Sequence, residues 1–163
     1  MLMNGELDYW DLYWRFEAFR RRFDPLDFRR WKRDSQRSLR SLYPDAEDLL
    51  LLDATCGMGD HTVNLAEEGF RVEACDSSPR ALDFTRQALR EASLAERVEV
   101  FSADWKDLGD LKPDRYDLIF HDALHWIYEA EDLRQVTLNL FRALRSGGEL
   151  VFFFVDSSQA EPG

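Results

Sequence analysis

Two cysteines, Cys56 and Cys75, are the whole thiol content of the 163 residues. That is too few for a disulfide framework, and with no Cys/His cluster around them it excludes a structural zinc site as well. Long apolar runs are also missing. Nothing approaches the ~18–20 uninterrupted apolar residues of a membrane span, and Met1 to Tyr13 carries acids where a signal peptide needs a basic start. The expectation is a cytoplasmic protein with no membrane partner. Repeats and low-complexity segments are absent too, so a single domain with a short appendage is the natural reading.

Charge of one sign is scarce. Against 32 Asp and Glu stand 21 Lys and Arg, a net of −11. An acidic surface repels phosphate, so no nucleic-acid partner is expected. The shortage is uneven, because residues 1–45 hold 10 basic and 8 acidic side chains and the remainder holds 11 and 24. Aromatic residues crowd this first segment, with Tyr9, Trp10, Tyr13, Trp14, Phe16, Phe19, Phe23, Phe28 and Trp31 among arginines. Spacings of three and four predict helix, and Asp24-Pro25 predicts a break before a second helix over about 26–42. Residues 1–45 are therefore read as a helical aromatic and basic arm, and 46–163 as the domain.

After Pro44 the pattern changes. Leu49 to Leu52 is an apolar run ending in Asp53, followed by the turn Ala54-Thr55-Cys56-Gly57-Met58-Gly59 and a helix from about 60 to 67. Phe70 to Cys75 is a second strand ending in Asp76. Ser77-Ser78-Pro79 starts a helix running to about Glu91, with proline at its first turn. Arg97 to Phe101 is a third strand, and Tyr116 to Phe120 a fourth. A helix over about 131–144 ends at Ser146-Gly147-Gly148, and Glu149 to Val155 is a fifth strand. Strands alternating with helices at this spacing predict an α/β fold with a parallel sheet.

In such a sheet, ligands sit outside the carboxyl ends of the strands. Four strand ends carry notable groups: Asp53 with the glycine turn, Asp76, Asp104-Trp105 and His121-Asp122. Glycines let the backbone approach a ligand, a helix start offers free N–H groups, and an acid at the second strand can accept both hydroxyls of a ribose. Trp105 can lie against a flat base while Asp104 accepts from an exocyclic amine. Together they describe an adenosine site. The dinucleotide fingerprint fails, because Thr62 stands where a third glycine is needed, and a phosphate loop fails because Asp60 would repel it. His61, near a helix start, reads as solvated.

These residues resemble the class I S-adenosylmethionine-dependent methyltransferases. Leu-Leu-Asp53-Ala-Thr-Cys-Gly57-Met-Gly59 is similar to their first motif, Glu73-Ala-Cys-Asp76 to the ribose acid, Ser102-Ala-Asp104-Trp105 to the adenine segment, Tyr116 to Asp122 to the fourth motif, and Ser146-Gly-Gly-Glu-Leu-Val-Phe to the fifth. The narrower resemblance, carried by the Asp-Trp pair and the aromatic arm, is to glycine/sarcosine-type small-molecule N-methyltransferases. It implies a Rossmann-like sheet of order 3-2-1-4-5, S-adenosyl-L-methionine as cofactor and a small amine as acceptor. It also implies roles. Asp53, Ala54, Gly57 and Gly59 would hold the methionine part, Asp76 with Ser77 the ribose, Asp104 and Trp105 the adenine, and His121 the rim between cofactor and acceptor. His121, His125 and Tyr13 are the candidates for the catalytic side, with no metal.

Members of this family continue past the fifth strand, whereas this sequence stops eight residues after Val155. Three expectations compete: a fragment of a longer enzyme, or an edge strand covered by a complementing polypeptide or by a second copy. The alternative is a catalytically silent subunit that needs such a partner.

Overall fold

The computed structural model describes Tyr13 and residues 39–104, 111–124 and 127–152. Five strands are present among them, β1 (Leu50–Asp53), β2 (Arg71–Asp76), β3 (Glu99–Ser102), β4 (Tyr116–Phe120) and β5 (Leu144–Val151). Three helices connect them, α1 (Asp60–Glu67), α2 (Pro79–Glu91) and α3 (Ala130–Ala143). The strands lie in the order β3-β2-β1-β4-β5, every pair parallel. This is the Rossmann-like methyltransferase sheet that the motif order implies.

Alternation along the strands divides the core into two layers. Leu51, Val72, Ala74, Leu118 and Phe120 face α1 and α2, where Leu65, Phe70, Leu82 and Leu89 meet them. Leu52, Cys75, Tyr116 and Ile119 face α3 through Val136, Leu140 and Ala143. A period of two on buried strands and of three to four on the helices places both sets, with the exception of Tyr116, which shares the parity of Leu118 but joins the α3 layer where the β4/β5 register shifts. Helix α2 starts where expected, with Ser78 Oγ accepting from the Ala81 N–H at 3.3 Å and Pro79 at its first position.

The fifth strand departs from the sequence reading. The helix does not run on to a Ser146-Gly147-Gly148 turn; α3 ends at Ala143 and the chain is extended at once from Leu144. Pairing passes from Tyr116↔Leu144 to Leu118↔Glu149, so residues 145–148 form an outward bulge inside β5. Gly147 has φ +79°, and a Cβ on Gly148 would lie 2.9 Å from the Tyr116 carbonyl oxygen. The glycines thus mark a bulge within the strand and not the gap before it. Arg145 within the bulge pairs with the Asp117 carboxylate, whose other oxygen accepts the Leu50 N–H at 2.7 Å. Among the described residues β5 pairs only with β4.

Of the arm, Tyr13 is helical and half-buried, and residues 39–42 are helical. Leu39 is buried in the α1/α2 layer, while Tyr43 meets Phe70 edge-on and donates to Glu149 Oε2 at 2.6 Å. The rest of the arm lies outside the described residues.

Candidate cofactor site

The carboxyl ends of the strands are tied to one another by backbone bonds just past the ladders. Ala54 N–H donates to Phe120 O at 2.9 Å, Cys56 N–H to Cys75 O at 2.9 Å, Ala103 N–H to Asp76 O at 3.2 Å and His121 N–H to Val151 O at 2.9 Å. The four candidate segments therefore share one edge of the sheet, as the topology requires.

The glycine turn is built for that edge. Gly57 has φ +54° and Gly59 φ +82°, left-handed values that a side chain resists. Gly57 directs its N–H to Asp76 Oδ2 at 3.0 Å, and its carbonyl accepts from Thr85 Oγ1 at 3.0 Å. Gly59 lies against α2, where a Cβ would sit 2.8 Å from Thr85 Cα. Thr85 is thus a residue sequence reading missed, although its place on the buried face of α2 was visible as periodicity.

Asp76 is half-buried at the end of β2 and takes N–H groups from Gly57, from Ser77 and, at 2.9 Å to Oδ1, from Ser78. Burial pushes its carboxyl above the usual range against the pull of those N–H groups, and the nearby Asp122 charge pushes the same way. Asp53 is fully buried, and its Oδ2 accepts from Thr62 Oγ1 at 2.7 Å. Thr62, the residue that breaks the dinucleotide fingerprint, so links α1 to the end of β1. Ala54 is buried, Ser77 half-buried and Asp104 exposed.

His121 is fully buried, and its Nδ1 accepts the Ala123 N–H at 3.2 Å, so in the neutral ring the proton is on Nε2. His61 is corrected. It is buried against the Phe120 ring at 4.8 Å and bonded to Asp122 at 2.9 Å, because the first turn of α1 packs on the end of β4 and does not face solvent. The two cysteines are buried, and burial pushes both thiols well up, which suits inert packing. Trp105, His125 and Trp126 lie outside the described residues. No group of His, Cys, Asp or Glu among the described residues is placed to hold a metal.

The donor set fits S-adenosylmethionine. A half-buried carboxylate already held by N–H groups keeps acceptor capacity for a diol, and the α1 start, where Gly59 opens the first turn, offers amide donors to a carboxylate.

Comparison with known proteins agrees with this geometry. Residues 51–148 match the model of the methyltransferase domain family. The chain belongs to that family, an S-adenosylmethionine-dependent methyltransferase fold, and S-adenosylmethionine is its cofactor. Similar proteins include the tRNA N(3)-cytidine methyltransferase METTL6 of Mus musculus, 34% identical with 88% of this chain and 51% of that protein covered. The tRNA 5-carboxymethoxyuridine methyltransferase of Escherichia coli K12 is 30% identical, with 76% and 46% covered. The crystal structure of an S-adenosylmethionine dependent methyltransferase from Mesorhizobium loti superposes with TM-score 0.59 at 29% identity, over 71% of this chain and 50% of that one. The chain spans about half the length of the curated relatives it matches.

These relatives overturn the expectation of a small-molecule acceptor with no nucleic-acid partner. Two of them are named for methylating tRNA. Net charge misled because it averages an acidic domain with a basic arm, and a substrate meets a local surface. No helix among the described residues is long and apolar enough to cross a membrane.

Proposed function

We propose that this chain is the cofactor-binding part of an RNA methyltransferase that acts on a tRNA nucleoside. The observation that carries the reading is the joined Gly57 and Asp76 crevice in a chain whose matched relatives are named for tRNA. Asp53, Ala54, Gly57 and Gly59 hold the methionine part, Asp76 and Ser77 the ribose, Asp104 and Trp105 the adenine. His121, His125 and Tyr13 are the residues proposed for the acceptor side. When bound, the cofactor supplies a methyl group on a sulfonium.

The protein's work in such a displacement is alignment of the acceptor atom with that methyl group. No strong general base is required. Charge supports the reading where it is local: residues 15–40 carry ten Lys and Arg against four Asp and Glu. A stripe of that sign meets phosphates, and the division into a 1–45 arm and a 46–163 domain gives it a separate place. A tRNA substrate fits a cytoplasmic protein. The silent-subunit alternative is not favoured, since the matched relatives are named as methyltransferases.

Radiolabelled S-adenosylmethionine incubated with the full chain and bulk unmodified tRNA tests the reading. Label in tRNA, weakening as salt rises, is the expected result. Label in sarcosine or glycine and none in tRNA would return the small-amine acceptor of the narrower resemblance.

A further inference from the structure

His61 and Asp122 come from elements 61 positions apart and meet between the start of α1 and the loop that follows β4. The imidazole is 4% exposed, and its Nε2–H donates to Asp122 Oδ2 at 2.9 Å. A carboxylate can only accept, which fixes the proton on that nitrogen. Phe120 flanks the ring at 4.8 Å, so the side chain cannot swing away without opening the core. Asp122, with its side chain 31% exposed, reaches from the crevice mouth back to α1.

A buried polar pair is a poor source of stability, because the cost of removing it from water offsets most of its attraction. An aliphatic side chain at position 61 would fill the same space. The loop carries Ala123 N–H to His121 Nδ1 at 3.2 Å, Ile127 N–H to Leu124 O at 3.1 Å and, to the neighbouring strand, His121 N–H to Val151 O at 2.9 Å. To these His61 adds a side-chain tie from the helix that opens at Gly59.

We propose that His61 is a positioning residue for the acceptor side. Through Asp122 it locks the 121–124 loop to the first turn of α1, so that the segment next to the cofactor sets the place of the segment next to the acceptor. The inference rests on the reading of this crevice as the cofactor cleft. Small displacements matter there, since a misplacement of about 1 Å can cost about a hundredfold in rate.

Amide hydrogen exchange on the full chain, comparing His61→Phe and His61→Gln, tests it. Phenylalanine keeps the bulk and loses the donor, whereas glutamine keeps an N–H. Expected for His61→Phe is exchange about tenfold faster over 121–124 with β1 and β2 amides unchanged, and for His61→Gln a return to within about threefold of the unaltered chain. S-adenosylmethionine affinity stays within about twofold in both, while kcat/KM on bulk tRNA falls at least about tenfold in His61→Phe alone. Unchanged exchange over 121–124, or a loss of protection spread equally over β1 and β2, would overturn the proposal. Failure of the unaltered chain to bind S-adenosylmethionine would overturn the cleft reading and the proposal with it, a result distinct from unchanged exchange in a chain that binds.

Discussion

Gly57 gives its N–H to Asp76 Oδ2 at 3.0 Å, so the turn after β1 and the acid at the end of β2 form one unit. The contact needs the φ of +54° that Gly57 adopts and the parallel pairing that sets Asp53 opposite Ala74. A change in either residue disturbs the other. Under the proposed assignment, recognition of the ribose and of the methionine part is thereby coupled before any ligand arrives.

Binding should depend on pH through Asp76. Its carboxyl is raised chiefly by burial, so the charged form costs the fold something. The associated stability is present at low pH and lost as pH rises through the raised value, whereas ribose binding needs the ionised group and runs the other way. S-adenosylmethionine affinity, followed by calorimetry across pH 4 to 8, should be full at neutral pH. It should fall on acidification at a less acidic pH than the ~3.9 of an ordinary aspartate.

Gly59→Ala should unfold the site from its back. The Cβ would lie 2.8 Å from Thr85 Cα on a backbone at φ +82°, and α2 cannot yield without moving the core. The expected loss is about 2–4 kcal/mol, from the left-handed penalty plus overpacking. Urea denaturation of the variant measures it.

Asp117→Ala should destabilise without touching the cofactor. It leaves the half-buried Leu50 N–H at the start of β1 without its 2.7 Å acceptor, a loss of about 1 kcal/mol. The paired Arg145 is 56% exposed, so its lost partner adds little. A lowered melting temperature with unchanged affinity for S-adenosylmethionine is the outcome to look for.

Removing residues 1–30 deletes much of the basic stripe and leaves the described domain intact in sequence. Filter binding to tRNA should weaken at least about tenfold at low salt and lose much of its salt dependence. Equal affinity would show that the arm carries none of the phosphate contacts.

The sheet was legible because its signals are local. Leu50–Asp53 is an apolar run closed by a turn, Ser78-Pro79 is a capping pair, and Tyr116–Phe120 is a wholly buried strand. The bulge in β5 was not, since Gly147 and Gly148 read alike whether they end a helix or interrupt a strand. The carbonyls of Tyr116 and Asp117, distant in sequence, decide it. At the site, Asp76 and the glycine turn were legible from their spacing. His61, Thr62 and Thr85 were not, because their partners Asp122, Asp53 and Gly57 belong to other elements that only the folded chain brings to them. The expectation of no nucleic-acid partner failed because whole-chain charge hides where charge sits.

Isothermal titration of the full chain with S-adenosylmethionine, run beside Asp76→Ala, tests the central claim most directly. The account predicts one site per chain and an affinity that falls at least about tenfold in the variant, while its circular dichroism spectrum stays unchanged. No heat of binding with the unaltered protein, or equal affinity in the two, would contradict it.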